Sequence, residues 1–163
     1  MQLRYFNQPH FENGSLKLIS QVLKEHGINK PLICTDPGLV KIGMTDKIRN
    51  LISNELSPTF YTETPANPTE QAVNDALEMY KQNDCDGVVG FGGGSSMDLA
   101  KTVALMANHE GNVVDYSVNE GGTGKIKETV PTIAIPTTSG TGSEVSLGAC
   151  LLYTSDAADD RMR

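Results

Sequence analysis

The sequence predicts an α/β protein with a doubly wound, mostly parallel sheet that carries helices on both faces. Three observations support this fold class. Short apolar segments alternate with longer segments of helical periodicity. The apolar segments are nearly continuous, as in strands that are buried on both sides. Two loops rich in glycine, serine and threonine each follow such a segment, and in a parallel sheet both loops would lie at the carboxyl edge.

The composition fits one soluble globular domain. The 163 residues are 38% hydrophobic and carry a net charge of −7, so neither a nucleic acid nor an anionic membrane is an expected partner. No apolar segment has the length of a membrane span, and no signal-peptide pattern is present. The three cysteines, Cys34, Cys85 and Cys150, form no CxxC pair, which favours a reduced, cytoplasmic setting.

The first elements are predicted from their boundary residues. Residues 1–11 are expected to form a short strand or hairpin. Ser15 is expected to cap a helix that Gly27 ends. The apolar segment 31–36 is the first clear core strand, and it ends on Asp36.

Asp36 has two interpretations. A carboxylate at the end of a parallel strand suits the hydroxyls of an adenosine ribose and repels a 2′-phosphate, which favours NAD over NADP. The alternative is that Asp36 only caps the next helix, which is a common role for aspartate.

The next elements are predicted from periodicity and capping signals. Residues 39–55 read as one helix, and residues 56–61 as a short strand. Asn67 is expected to cap a further helix, with Pro68 at its first position and Glu70 completing a capping box. Asn67 could contact a ligand, but the cap alone explains it.

The most informative stretch reads as strand, glycine turn and helix. Segment 86–91 is an apolar strand, three consecutive glycines follow, and Ser95 or Ser96 is expected to cap the next helix. The N–H groups of a first helical turn lack partners within the helix, so a phosphate against Gly93, Gly94 and Ser95 would satisfy them. The alternative is a tight turn that binds no ligand.

A second loop of this kind follows the last predicted strand. Residues 110–128 read as a loop, residues 130–136 as a buried strand, and residues 137–144 as a turn dominated by hydroxyl side chains and glycine. Such a turn can offer donors to a phosphate or a ribose. The histidines are scattered and match no metal-binding motif, so the residues alone indicate a nucleotide-binding protein without a catalytic constellation.

Four segments together resemble one enzyme family. FGGGSSMDLAK at 91–101 and PTTSGTGSEVS at 136–146, in this order, resemble the iron-containing alcohol dehydrogenase family. TDPGLVKIG at 35–43 and PANPT at 65–69 are similar to the same family. The resemblance extends from about Tyr5 to Cys150.

The resemblance implies a Rossmann-like N-terminal domain that binds NAD(P), with NADP the less expected cofactor here. It also implies oxidation of a small alcohol or reduction of an aldehyde, a divalent metal (usually Fe²⁺) in a C-terminal helical domain, and a homo-oligomer. Asp36 would bind the adenosine ribose and Asn67 would lie near the adenine. The other implied cofactor-binding residues are Gly93, Gly94 and Ser95 at the pyrophosphate, Asp98 supporting that turn, and Thr137, Thr138, Thr141 and Ser146 on the nicotinamide-ribose side.

The chain departs from the family pattern after Cys150. We expect residues 1–150 to be the dinucleotide-binding domain and residues 151–163 to be a non-native tail, with the family's helical domain and its metal ligands, one Asp and three His, missing. We therefore expect the chain as given to be inactive and to bind NAD at most. The alternatives are a non-catalytic nucleotide-binding module, an unstable fragment, and an enzyme related to glycerol dehydrogenase or dehydroquinate synthase.

Overall fold

A computed structural model describes residues 8–152 of the chain. Most of the predicted N-terminal strand or hairpin and most of the predicted tail lie outside these residues. The strands are β1 (Pro31–Cys34), β2 (Thr59–Tyr61), β3 (Gly87–Gly92) and β4 (Thr132–Pro136). The helices are α1 (Ile19–Glu25), α2 (Pro37–Lys41), α3 (Met44–Leu51), α4 (Glu70–Gln82) and α5 (Gly94–Ala107), with 3₁₀ turns at Ser15–Leu18, Val113–Tyr116 and Gly122–Lys125.

The four strands form one parallel sheet in the order β2-β1-β3-β4. From β1 the chain moves outward to β2, then crosses back to place β3 on the other side of β1. The strand order therefore reverses between β1 and β3, where Leu32 pairs with Val88 and Cys34 with Gly90. In open α/β sheets ligands bind beyond the carboxyl ends of the strands at such a switch point.

Helices pack on both faces of the sheet, because neighbouring strand residues point to opposite sides. Leu32, Cys34 and Val88 pack with α4 and α5 in one buried cluster. Ile33 and Val89 pack with α1 and α3 in the other. The predicted fold class, a doubly wound Rossmann-like parallel sheet with helices on both faces, is confirmed.

Two predicted helices differ from the observed ones near the N-terminus. The helix expected over 39–55 is two helices, α2 and α3, because Gly43 adopts a left-handed conformation with φ 75° between them. Ser15 is not a helix cap, since it begins a 3₁₀ turn that leads into α1. Gly27 does end α1, with φ 70° and its N–H bonded to the carbonyl of Lys24.

Two cap predictions were displaced by two or three residues. Helix α4 is capped by Thr69, whose Oγ1 accepts a hydrogen bond of 3.2 Å from the N–H of Ala72, and not by Asn67. Helix α5 begins at Gly94, with Gly93 at the cap position, so Ser95 and Ser96 lie inside its first turn. Within residues 8–152, no side chain caps α5.

The last strand is more exposed than predicted. β3 is buried along its whole length, as the sequence predicted. β4 pairs only with β3 among the described strands, and its residues alternate between half-buried Ile133 and Ile135 and exposed Thr132, Ala134 and Pro136. Among residues 8–152, no helix is long and apolar enough to cross a membrane.

Candidate functional site

A cleft of about 410 Å³ opens at the carboxyl ends of β1 and β3. It lies at the switch point of the sheet, where the topology places a ligand site. Its lining is Asp36, Pro37, Gly38, Leu39, Thr64, Pro65, Ala66, Gly93, Ser95, Ser96, Thr137 and Thr138. Of the predicted site residues, the cleft thus brings together Asp36, Gly93, Ser95, Thr137 and Thr138.

Asp36 caps α2 and lines the cleft at the same time. Its Oδ1 accepts a hydrogen bond of 3.1 Å from the N–H of Leu39, so the predicted cap is confirmed. A Cβ at Gly38 would lie 2.8 Å from Oδ1, so a side chain there would require the carboxylate to shift. The role of Asp36 toward a ribose stays a prediction.

The junction of β3 and α5 requires glycine at two positions. Gly92 has φ 156°, and a Cβ there would lie 2.4 Å from Ser96 Oγ. A Cβ at Gly90 would lie 2.8 Å from Met97 Cα, so this glycine lets α5 pack closely on β3. The turn therefore brings the N-terminus of α5 to the cleft, with the partial positive charge of the helix dipole.

The loop before α4 closes the cleft beside this helix. The hydroxyl of Ser95 donates a short hydrogen bond to the carbonyl of Ala66. Asn67 is exposed and does not belong to the lining. Its position next to Ala66 puts it at the rim of the cleft, on the side of β2.

The loop after β4 forms the opposite wall. Its first residue, Thr137, donates its backbone N–H to the carbonyl of Gly92 at 2.9 Å. Thr141 and Ser146 lie further along this loop and outside the lining, where Thr141 Oγ1 donates to Glu144 Oε2 at 3.2 Å and Ser146 Oγ donates to the carbonyl of Gly148.

Gly94 and Asp98 lie behind the lining. A Cβ at Gly94 would be 3.2 Å from Ser143 Oγ and 3.5 Å from Thr141 Cβ, so the loop packs against the start of α5. Asp98 is buried, pairs with Lys101 at 2.9 Å and accepts a hydrogen bond of 3.0 Å from the N–H of Cys150. Asp98 thus contacts the far end of the same loop.

Two lining hydroxyls were missed at the sequence level. Ser96 and Thr64 are buried, and Thr64 Oγ1 has no hydrogen-bond partner among the described residues. A buried hydroxyl without a partner is unfavourable, which fits a position that a ligand or water completes. The sequence feature that could have indicated Thr64 as a lining residue is its position shortly after the predicted strand 56–61.

Two ionisable side chains in the strands that lead to the cleft, Cys34 in β1 and Tyr61 in β2, have raised pKa values. Burial raises the pKa of the Cys34 thiol well above its usual range, and the nearby Cys85 raises it further. Burial also raises the pKa of Tyr61 to about 12, with a smaller contribution from the charge of Asp75. Both groups therefore stay neutral at physiological pH.

The described residues do not fit a metal centre. Within the range 8–152, no group of three or more His, Cys, Asp or Glu side chains could hold a metal ion. A nucleotide fits better, because the cleft combines an uncapped helix N-terminus, a carboxylate and several hydroxyls.

Comparison with known proteins agrees with this geometry. The model of the iron-containing alcohol dehydrogenase family matches residues 7–162. The 4-hydroxybutyrate dehydrogenase of Cupriavidus necator is 42% identical over 149 residues, which are 91% of this chain and 39% of that protein. The chain therefore spans about two fifths of the length of this relative.

Two solved structures share the fold. The sulfoacetaldehyde reductase of Bifidobacterium kashiwanohense, solved with NAD⁺, is 32% identical with a TM-score of 0.72, over 82% of this chain and 35% of that one. The alcohol dehydrogenase ADH/D1 from an archaeon of a Red Sea brine pool is 30% identical with a TM-score of 0.75, over 93% and 40%. The chain belongs to the iron-containing alcohol dehydrogenase family.

Proposed function

We propose that this chain is the NAD-binding part of an oxidoreductase that interconverts a small alcohol and its aldehyde or ketone. The observation that carries the proposal is the cleft at the switch point, where Asp36, the start of α5 and the hydroxyls of Thr137 and Thr138 converge. The relatives support the reaction class, because one is named a 4-hydroxybutyrate dehydrogenase and another a sulfoacetaldehyde reductase with NAD⁺.

The pyrophosphate, the ribose and the adenine of the proposed cofactor would each lie against residues that can bind them. The pyrophosphate would lie against Gly93, Gly94 and Ser95, where the unpaired N–H groups and the dipole of α5 favour negative charge. The adenosine ribose would lie against Asp36, whose Oδ2 remains available while Oδ1 caps α2. Asn67 would lie on the adenine side.

The loop after β4 would supply the remaining contacts. Thr137 and Thr138 present hydroxyls to the cleft from the wall opposite Asp36. We propose that they bind the phosphates or the nicotinamide ribose, and that Thr141 and Ser146 shape this wall from behind. The bound nicotinamide supplies the hydride chemistry, while the residues of this chain bind and orient it.

The family's divalent metal is not assigned to this chain. The described residues offer no cluster of ligands for it, so no catalytic step is assigned through a metal here. The homo-oligomeric state of the whole protein and its cytoplasmic location stay predictions.

The test is cofactor selectivity, measured by calorimetric titration of the 163-residue chain with NAD⁺ and NADP⁺. We expect Asp36→Asn to reduce the preference for NAD⁺ about tenfold or more, since a 2′-phosphate would no longer face a carboxylate. Asparagine still caps a helix, so α2 should be kept. Asp46→Asn is the matched control, because it removes the same charge from the exposed first turn of α3.

Three results would count against the proposal. The wild-type chain could fail to bind either dinucleotide, which would favour an unstable fragment. It could bind adenosine as tightly as NAD⁺, which would favour a non-catalytic nucleotide-binding module. Equal changes in Asp36→Asn and Asp46→Asn would show that general charge, not a ribose contact, sets the preference.

A further inference from the structure

Lys101 makes an unusual set of contacts for a lysine on a helix. Its Nζ donates to the backbone carbonyls of Ser143 at 3.1 Å and Ser146 at 3.3 Å, and also to the carbonyl of Gly148. The same Nζ lies 2.9 Å from Asp98 Oδ1. An ammonium has three N–H donors, so the carbonyls occupy all of them and the contact with Asp98 is an ion pair rather than an aligned hydrogen bond.

Asp98 completes the attachment from one turn earlier on α5. Its Oδ2 accepts a hydrogen bond of 3.0 Å from the N–H of Cys150. The side chains of Asp98 and Lys101 are only 10% and 19% exposed. Little water reaches the two charges, so each stabilises the other. The pair therefore binds segment 143–150 through three carbonyls and one N–H group.

Segment 143–150 is an irregular part of the chain. It contains no helix or strand in the described structure, and its residues are mostly exposed. Backbone carbonyls without a ladder partner need another donor or water. Hydrogen bonds from a charged donor are stronger than neutral ones, so Lys101 makes the strongest polar attachment between this segment and α5. The residues that follow are held separately, since the N–H of Leu152 donates to the carbonyl of Pro68 at 2.9 Å.

Segment 143–150 continues the loop that lines the cleft. Ser143 and Thr141 pack against Gly94, the first residue of α5, at the distances given above. The same loop begins with Thr137 and Thr138, which line the cleft. A loop released from α5 at its far end would move away from the helix N-terminus, where we place the pyrophosphate.

We propose that Lys101 is a positioning residue that gathers the carbonyls of segment 143–148 onto α5 and so holds the loop that forms the phosphate side of the cleft. The inference rests on the proposed function for the identity of the ligand. It assigns Lys101 no contact with the nucleotide. Arginine would not replace it, because a planar guanidinium cannot point its donors at three carbonyls around one atom.

The first measurement is amide hydrogen exchange in the full chain without nucleotide, comparing wild type with Lys101→Met and Lys101→Arg. We expect exchange in segment 141–150 to speed up about tenfold or more in Lys101→Met, while β1 and β3 change less than about twofold. Lys81→Met is the matched control, because it removes the same charge from an exposed position in α4. Lys101→Arg keeps a positive charge beside Asp98, so it is the variant to measure if Lys101→Met does not fold.

The second measurement is calorimetric titration of the same variants with NAD⁺, ADP and adenosine. We expect both Lys101 variants to bind NAD⁺ and ADP about tenfold more weakly. Adenosine, which lacks phosphates, should change less than about twofold. A uniformly weakened domain would lose all three ligands alike, and that result would overturn the positioning role.

The two measurements separate this inference from the proposed function. Unchanged exchange in segment 141–150 of both variants would overturn the attachment whatever the ligand. Faster exchange with unchanged ADP affinity would overturn the link to the cleft. If wild type binds no nucleotide, the proposed function and the phosphate role both fail, while exchange still decides whether Lys101 holds the segment.

Discussion

The two walls of the cleft meet at the same opening but are held by different means. The wall with Asp36 follows β1, which is buried on both faces, and its carboxylate caps the helix that comes next. The wall with Thr137 and Thr138 follows β4, a half-exposed strand, and continues into an irregular loop attached through Lys101. The first wall directly follows a strand of the core, while the second is held by the Asp98–Lys101 pair, a few hydrogen bonds and the contact of its far end with the residues before α4.

This difference separates the stability of the domain from the shape of its site. Core packing positions the strand before the first wall, so a change in that strand should lower the free energy of unfolding of the whole domain. Side-chain attachment fixes the second, so a change there should alter ligand binding more than global stability. The following predictions test this contrast from the largest expected effect to the smallest.

The first prediction compares the effect of the same substitution, Ile→Ala, in the strand that precedes each wall. Ile33→Ala in β1 removes a fully buried side chain, and we expect it to lower the free energy of unfolding by about 2–5 kcal/mol. Ile135→Ala in β4 removes a half-buried one and should cost roughly half as much or less. Urea denaturation followed by circular dichroism measures both, and equal losses would show that β4 belongs to the core after all.

The second prediction concerns the close approach of β3 and α5. Gly90→Ala would place a Cβ 2.8 Å from the Cα of Met97, so strand and helix must separate, at a cost of about 1–3 kcal/mol. Gly124→Ala is the control, since a Cβ there meets nothing within 4 Å. Equal denaturation midpoints for the two variants would contradict the packing described for this junction.

The third prediction is a loss of stability at alkaline pH that originates in the buried wall. An unfolded thiol ionises from about pH 8.5 upward, whereas buried Cys34 keeps its proton because its pKa is raised. The unfolded state then binds fewer protons, so the free energy of unfolding falls by about 1.4 kcal/mol per pH unit once the unfolded thiol is ionised.

Tyr61 adds to this loss at higher pH, between the unfolded value of about 10 and its folded pKa of about 12. Urea midpoints at pH 8, 9 and 10 measure the slope. Cys34→Ala should have a lower midpoint throughout but a flatter dependence between pH 9 and 10. If the urea midpoint of Cys34→Ala depends on pH as steeply as that of wild type, another group causes the loss of stability.

The sequence predicted the buried wall well and located β4 within two residues, but it predicted neither the exposure of β4 nor the attachment of the loop that follows. Strands buried on both faces leave continuous apolar segments, so β1 and β3 were found within a few residues. The helix end at Gly27 and the glycine turn before α5 follow from backbone conformations that glycine adopts easily. The contacts of Lys101 with residues more than forty positions away leave no local pattern, and neither does the exposed face of β4, which depends on the strands available to pair with it.

The other misses came from local signals that compete. Apolar periodicity continues across Gly43, so the sequence suggested one helix where a left-handed glycine makes two. Thr64 lies in the lining three residues after the end of β2, in a loop whose path no local sequence pattern predicts. Asn67 and Thr69 can both cap a helix and stand on either side of Pro68, so sequence alone could not rank them.

The last and smallest prediction separates these two residues. Thr69→Ala removes the Oγ1 that accepts the N–H of Ala72, and we expect it to lower the free energy of unfolding by about 1 kcal/mol. Thr69→Ser keeps the hydroxyl and should be nearly neutral. Asn67 is exposed and caps nothing in the described structure, so Asn67→Ala should change stability by less than about 0.5 kcal/mol.

Nucleotide titration of the same three variants should reverse this order. If Asn67 lies at the adenine, as we propose, Asn67→Ala weakens NAD⁺ binding while Thr69→Ala leaves it close to wild type. The pair would then show, within three residues of one loop, a side chain that serves the fold and another that serves the ligand. A loss of binding in Thr69→Ala alone would instead mean that the start of α4 positions the cleft, and Asn67 would have no role in it.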